Sequence, residues 1–145
     1  MVSACLLGTG CRYDGGGNRI PQLSDLLQTH CCVPVCPEIL GGLPTPRTPA
    51  ERQGERVVAQ DGRDVTAAFV RGAQETLRLA ELFHCEAALL KERSPSCGSG
   101  SIYDGSFTHT RVPGDGVTAQ LLKEAGIPVY GESELPRLLS VSGTE

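Results

Sequence analysis

Three of the seven cysteines stand where soft-metal chemistry is possible. Cys5, Cys36 and Cys97 each come at or just past the end of a short apolar run that predicts a buried strand. In an open α/β sheet the ligand crevice forms outside the carboxyl ends of the strands, so residues far apart in sequence can meet there. The positions of these cysteines therefore predict one three-thiolate site at that edge of the sheet.

The spacing of the three cysteines limits what they could hold. Their wide separation excludes the compact CxxCxxC run of a ferredoxin and the paired CxxC of a zinc ribbon. Three soft thiolates suit either an iron–sulfur cluster or a zinc ion. Because only three protein ligands are present, one coordination position stays open, as expected of a catalytic rather than a structural centre.

The remaining cysteines and the histidines offer no competing motif. Cys31, Cys32 and Cys85 fit the interpretation of small, partly buried apolar residues. Cys11 shares a glycine-rich loop with Cys5 and could approach the same site, so its role is left open. The histidines are isolated and expected on the surface or in loops: His30, His84 and His109.

Strand-like and helical segments alternate along the chain. Apolar runs predict strands at residues 2–7, 31–36, 87–90 and 127–130. Apolar spacings of three and four predict helices at 23–27, 65–83 and 117–125, with Asp64 as the N-cap of the second and Phe83 on its apolar face. The prolines and glycines of residues 36–51 predict irregular structure, 56–60 and 63–65 a small hairpin, and 99–105 a flexible rim.

This alternation, in a chain of 145 residues and 15.3 kDa, predicts one domain over residues 1–145. The expected fold class is α/β, a Rossmann-like three-layer domain with an open, mainly parallel sheet. A domain of this size needs no disulfide framework, so the cysteines call for another explanation.

Composition narrows the location and the partners. The first residues lack the basic start and the length of a signal peptide, and no apolar run is long enough to span a bilayer. We therefore expect a cytoplasmic protein, in which thiols stay reduced. A net charge of −4 and an aromatic content of 4% disfavour a nucleic-acid polymer as partner and favour a small molecule.

Five segments resemble the thiouracil desulfidase family, and they occur in order over nearly the whole chain. They are VSACLLG from Val2, RYDGG from Arg12, VCPEILGGLPTPR from Val35, LKERSPSCG from Leu90 and IYDG from Ile102. The resemblance implies a 4Fe-4S cluster whose ligands fall on Cys5, Cys36 and Cys97, with Cys11 outside the ligand set. It also implies that the sulfur of a thiolated pyrimidine binds the unique iron and that water cleaves the C–S bond without net electron transfer.

The resemblance also suggests roles for nearby polar residues. Glu38, two residues after Cys36, is the expected proton relay. Ser94 is preferred over Ser96 as the hydroxyl that orients substrate or water, and Ser96 and Asp14 are expected to bind substrate. Arg12 or Arg47 could pair with a carboxylate or contact a phosphate-bearing substrate, and a structural salt bridge is an equal alternative for both.

Two functions follow from these residues. The first is a non-redox desulfidase that converts thiouracil or a thiouridine-type substrate into the oxo base and sulfide. The second is a cluster- or metal-binding module that senses redox state or delivers sulfur without turnover of its own. The choice among thiolated pyrimidines and the oligomeric state are left open by the sequence.

Overall fold

The structure is a computed structural model that describes residues 1–142, with side chains described through residue 140. The strands are β1 (Val2–Ser3), β2 (Pro34–Val35), β3 (Ala50–Gln53), β4 (Arg56–Ala59), β5 (Ala88–Leu90), β6 (Ser101–Tyr103), β7 (Arg111–Pro113) and β8 (Val129–Gly131). The α-helices are α1 (Leu23–Thr29), α2 (Pro37–Leu40), α3 (Thr66–Leu82), α4 (Val117–Glu124) and α5 (Leu135–Ser142). The last three residues of the predicted domain, 143–145, lie outside the described part.

Four strands form one sheet in the order β2-β1-β5-β8, and every neighbouring pair is parallel. Val2 of β1 pairs with Pro34 on one side and with Leu89 on the other. The chain first places β2 on one side of β1 and later places β5 on the opposite side. The order of strands therefore reverses beside β1, which is where ligands bind in such sheets.

Two buried apolar clusters lie on opposite faces of this sheet. Along β5, Ala88 and Leu90 pack into one cluster and Leu89 into the other, because successive strand residues point to opposite faces. Residues of α3 and α4 complete the first cluster, and residues of α1 and α5 complete the second. The predicted Rossmann-like, three-layer α/β fold with an open, mainly parallel sheet is confirmed.

The helix predicted at residues 65–83 is α3, shorter by one residue at each end. Asp64 Oδ1 accepts the Thr66 N–H at 2.9 Å and so satisfies a donor at the helix start, although the N-cap position is Val65. Phe83 follows the last helical residue and is 58% exposed, so its predicted place on the apolar face is wrong. Within residues 1–142, no helix has the length and apolar character needed to cross a bilayer.

Two predicted strands are much shorter than expected, for a local reason at each site. After β1 the chain turns into a 3-10 helix, Ala4–Leu7, which ends at Gly8 with a φ of 98°. That left-handed conformation suits glycine. The second predicted strand, at residues 31–36, is reduced to Pro34–Val35. It ends there because Pro37 begins α2 two residues later. The prediction of irregular structure for residues 36–51 is therefore wrong for α2 and for the start of β3.

Two antiparallel hairpins stand apart from the sheet, and both correct the predictions. The strand β4 pairs with β3, through a turn in which Gly54 has a φ of 62°. The predicted pairing is present in short form on the other side of β4, as the bridge of Val58 to Asp64 and two backbone hydrogen bonds of residues 63–65. The predicted flexible rim at 99–105 contains β6, which pairs with β7.

Candidate metal centre

Cys5, Cys36 and Cys97 come together at the carboxyl edge of the sheet. Cys5 lies in the 3-10 helix after β1, Cys36 directly follows β2, and Cys97 lies in the loop after β5. The three strands are neighbours in the order β2-β1-β5. All three residues line one cavity of about 540 Å³, and Cys11 lines it too. The predicted meeting of these side chains thus has a structural basis in the strand order.

Burial favours the protonated thiol at three of the four cysteines that line this cavity: Cys5, Cys11 and Cys97. It raises the pKa of Cys5 and of Cys97 to about 12, and that of Cys11 to about 11. The Ser3 and Ser96 hydroxyls donate to Cys97 Sγ at 3.5 and 3.6 Å and oppose part of its pKa shift. A metal must displace the protons of such thiols on binding.

The loop that carries Cys97 is fixed by the N-terminus of α4. The N–H groups of Val117, Thr118 and Ala119 donate to the Pro95 and Ser96 carbonyls at 2.8–3.1 Å, so donors that the helix leaves unpaired are used here. A Cβ on Gly116 would come within 2.5 Å of the Ser96 backbone. Only glycine lets the helix approach the loop this closely.

A second close approach positions Cys36 and the residues that follow it. The short helix α2 packs against α3 with backbone contacts on both sides, because a Cβ on Gly41 would lie 2.0 Å from Ala68 O and one on Gly72 would lie 1.9 Å from Pro37 O. Cys36 is the N-cap residue of α2, and its thiol donates to the Cys11 carbonyl at 3.8 Å. The sulfur position therefore depends on how α2 sits on α3.

Glu38 stands at the centre of a hydrogen-bonded network beside the cysteines. Its Oε1 accepts from Arg47 Nε at 3.2 Å, and its Oε2 accepts from Ser96 Oγ at 3.2 Å. Ser96 Oγ lies 3.0 Å from Ser94 Oγ, which itself accepts the N–H groups of Ser96 and Cys97. Ser96 is 1% exposed and Ser94 is half-buried, and both line the cavity together with Glu38. The two hydroxyls and the carboxylate thus form one hydrogen-bonded chain in the cavity wall.

The remaining polar residues and cysteines differ in whether they line the cavity. Asp14 is exposed and does not line the cavity; its Oδ1 accepts the Gly16 N–H at 2.9 Å and so shapes a turn. Lys91 lines the cavity and pairs with Glu132 at 2.7 Å. The cysteines outside the cavity lie before β2 and β5, at the opposite edge of the sheet: Cys31, Cys32 and Cys85.

The β6–β7 hairpin supplies an aromatic wall that sequence reasoning missed. Tyr103, Phe107 and His109 line the cavity, and the rings of Tyr103 and His109 meet edge to face at 5.9 Å. Glu51 Oε1 accepts the N–H groups of Gly105 and Phe107 at 3.0 and 3.1 Å, which holds the loop in place. The signal in the sequence was three ring-bearing residues within seven positions of a chain that is poor in aromatics.

The donor set of the cavity is rich in sulfur and suits a thiophilic cluster. Four cysteines line it, and the Glu38 carboxylate, the Ser94 and Ser96 hydroxyls and the aromatic wall line the same space. Among residues 1–142, no three His, Cys, Asp or Glu side chains are grouped to hold a single metal ion. The arrangement suits a soft centre together with an organic ligand placed beside it.

Comparisons with known proteins agree with this site. A structure titled [4Fe-4S]-dependent thiouracil desulfidase TudS is 51% identical to the chain, covers 97% of it and 95% of its own length, and superposes with a TM-score of 0.92. The protein YbbK of Bacillus subtilis (strain 168) is 43% identical over 149 residues, with 96% of this chain and 99% of YbbK covered. The family model for 2-thiouracil desulfurase matches residues 1–134, and the chain therefore belongs to that family.

Proposed function

We propose that the chain is a desulfidase that binds a [4Fe-4S] cluster through Cys5, Cys36 and Cys97 and removes sulfur from a thiolated pyrimidine. The support is the convergence of these thiols on one cavity and the 51% identity to a desulfidase that depends on such a cluster. When bound, the cluster supplies a thiophilic Lewis acid with one iron that has no protein thiolate. Cys11 stays outside the ligand set in this proposal.

Glu38 accepts and returns protons during the hydrolysis. Replacing a thiocarbonyl sulfur by oxygen consumes water, and the protons of that water must reach the departing sulfide or the ring. The Glu38 carboxylate lines the cavity next to Cys36, within reach of a water placed there. It therefore acts as the general base in our proposal.

Ser94 and Ser96 divide the hydroxyl roles. Ser94 faces the cavity and is held in position by two backbone N–H groups, so its hydroxyl orients the substrate or the attacking water. The buried Ser96 hydroxyl connects Ser94 to Glu38 Oε2 and serves substrate binding through these two partners. Asp14, which was predicted to bind substrate, does not line the cavity. In our proposal it stabilises the turn at Gly16 and has no contact with the substrate.

The aromatic wall suits a flat, heteroaromatic ring. Tyr103, Phe107 and His109 stand on the hairpin that faces the thiol side of the cavity. Planar rings pack well on the faces and edges of aromatic side chains. Because these side chains are rigid, they lose little conformational entropy when a ligand binds. We therefore propose that these residues contact the pyrimidine ring while its sulfur points to the cysteines.

The experiment is anaerobic reconstitution with iron and sulfide, followed by incubation with 2-thiouracil, 4-thiouracil and 4-thiouridine. We expect the ultraviolet band of one thiolated base to disappear and sulfide to be released in equal amount. Glu38→Gln should keep the cluster, as measured by iron content, and lower kcat by roughly 10²- to 10⁴-fold. A reconstituted cluster without any turnover would contradict the proposal and favour a redox-sensing or sulfur-delivery module.

A further inference from the structure

Arg47 is a deeply buried charged group beside the cavity, and the proposed chemistry has so far given it no role. Its side chain is 6% exposed. The Nε atom pairs with Glu38 Oε1 at 3.2 Å, and Glu38 is itself only 18% exposed. By contrast, the Arg63–Asp61 pair has the same Nε-to-carboxylate geometry at 2.9 Å with side chains that are 66% and 43% exposed. Burial of a guanidinium is costly unless all its donors are used.

Three of the four remaining N–H groups of the Arg47 guanidinium donate to backbone and side-chain oxygens. Nη2 donates to the Cys11 carbonyl at 2.8 Å, and Nη1 donates to Pro44 O at 3.2 Å and to Thr45 Oγ1 at 3.0 Å. The backbone N–H of Arg47 also donates to Tyr13 O at 2.7 Å. One residue thus connects the loop after α2 to the loop that carries Cys11.

This fork restricts the orientation of the Glu38 carboxylate. One carboxylate oxygen accepts from Arg47 and the other from Ser96, so rotation of the group would break one of two charge-assisted bonds. The Cys11 carbonyl that Arg47 holds also accepts from the Cys36 thiol. Arg47 is therefore linked to both the proposed base and the thiol next to it.

We propose that Arg47 is a positioning residue for the desulfidase reaction: its guanidinium holds the Glu38 carboxylate and the Cys11 carbonyl in register across the cavity. The expected effect on kcat rests on the proposed function. The expected effect on the positions of Glu38 and Cys11 rests only on the hydrogen bonds of Arg47. Lysine cannot replace arginine here, because a single ammonium cannot span acceptors that lie around a planar fork.

The decisive measurement is a double-mutant cycle on reconstituted enzyme with matched iron content. Arg47→Met should lower kcat by roughly 10- to 100-fold with a KM change below about 3-fold, since a small misplacement of a catalytic group has effects of this size. In a Glu38→Gln background, Arg47→Met should lower the residual kcat by less than about 3-fold. Multiplicative losses in the double variant would overturn the proposal.

Two further variants sharpen the cycle. Arg63→Met removes an exposed arginine with the same pairing geometry and should leave kcat and KM unchanged. Arg47→Lys keeps the charge without the fork and should recover only part of the lost kcat. Full recovery by Arg47→Lys would show that charge alone is needed and would overturn the positioning role.

A readout on metal-free protein separates this inference from the proposed function. Arg47→Met should speed hydrogen exchange of the backbone of residues 11–16 by about 10-fold or more, whereas Arg63→Met should not, because only in the first variant does the Cys11 carbonyl lose the guanidinium that binds it. Unchanged exchange would overturn the proposal even if the enzyme is active. Absence of turnover in the wild type, with faster exchange in Arg47→Met, would overturn the proposed function alone.

Discussion

Both edges of the central sheet carry cysteines, but the residues that surround the thiols differ between the two edges. At the carboxyl edge, Cys5, Cys36 and Cys97 line a cavity with a carboxylate, hydroxyls and aromatic rings. At the amino edge, Cys32 interacts with the chain's first amino group and with Cys31 and Cys85, and burial raises its pKa. All seven cysteines are free.

The difference follows from how parallel strands are connected. Loops that leave the carboxyl ends diverge on either side of the switch beside β1 and open a space between them. The amino ends, by comparison, are closed by short connections, and Met1 donates to Ala87 O across the edge. Both edges therefore have thiols. The cavity for a ligand, and the polar groups that could act on that ligand, are found at the carboxyl edge.

Loss of a carboxyl-edge thiol has the largest expected effect. Cys5→Ser, Cys36→Ser and Cys97→Ser should each abolish stable iron binding after anaerobic reconstitution, because the oxygen replaces one of the three thiolates that we propose as ligands. Iron and sulfide content per protein measures this. At the amino edge, Cys32→Ser and Cys85→Ser are the controls and should bind iron as the wild type does. Equal losses at both edges would remove the distinction between them.

Thiol reactivity in metal-free protein should separate the edges next. Exposed Cys31 should react with iodoacetamide first, and Cys97 at least ~100-fold more slowly, because its raised pKa of about 12 leaves little thiolate at neutral pH. Thiolate increases with pH, yet Cys97 should stay slow up to about pH 9, well below its pKa. Mass spectrometry of peptides follows each site. In denaturant the rates should converge, and similar rates in folded protein would contradict the prediction.

The two ends of α4 offer a comparison of glycines, one at each edge. Gly116→Ala places a Cβ against the Ser96 and Cys97 backbone and should lower the free energy of unfolding by about 1–3 kcal/mol and reduce iron content. Gly126 at the amino edge has a φ of 85° and open space around it, so Gly126→Ala costs only backbone strain and should keep iron content. Thermal unfolding and iron analysis measure both. Normal iron content in Gly116→Ala would show that the loop adapts.

The smallest effect is expected at the aromatic rim of the carboxyl edge. Glu51→Ala removes the acceptor for two backbone N–H groups of the β6–β7 loop and should raise KM by roughly 3- to 10-fold, since such bonds contribute on the order of 1.5 kcal/mol. Steady-state kinetics on the thiolated base measures it. Glu55→Ala, an exposed change in the neighbouring turn, is the control. A KM like that of the control would exclude the rim from substrate binding.

The sequence predicted the parallel sheet because short apolar runs, typical of buried strands, alternate with segments whose apolar residues have helical spacing. Strand lengths and hairpin partners were less predictable, since they depend on contacts distant in sequence. The strand β3, for example, pairs with β4 along four residues, whereas the segment at residues 63–65 adds a single bridge at Asp64. The aromatic wall was missed for the same reason: the hairpin is held by Glu51, more than fifty positions earlier in the chain.

By itself, the sequence determined that Cys5, Cys36 and Cys97 follow strands, and so made them the candidates for soft-metal chemistry. Local pattern suffices for this, because hydrophobic periodicity marks where strands end. Only the tertiary structure decided that the three strands are neighbours, that Asp14 stays outside the cavity and that Arg47 holds Glu38. Those outcomes depend on strand order and on helix packing through Gly72 and Gly116, which act between segments far apart in the chain.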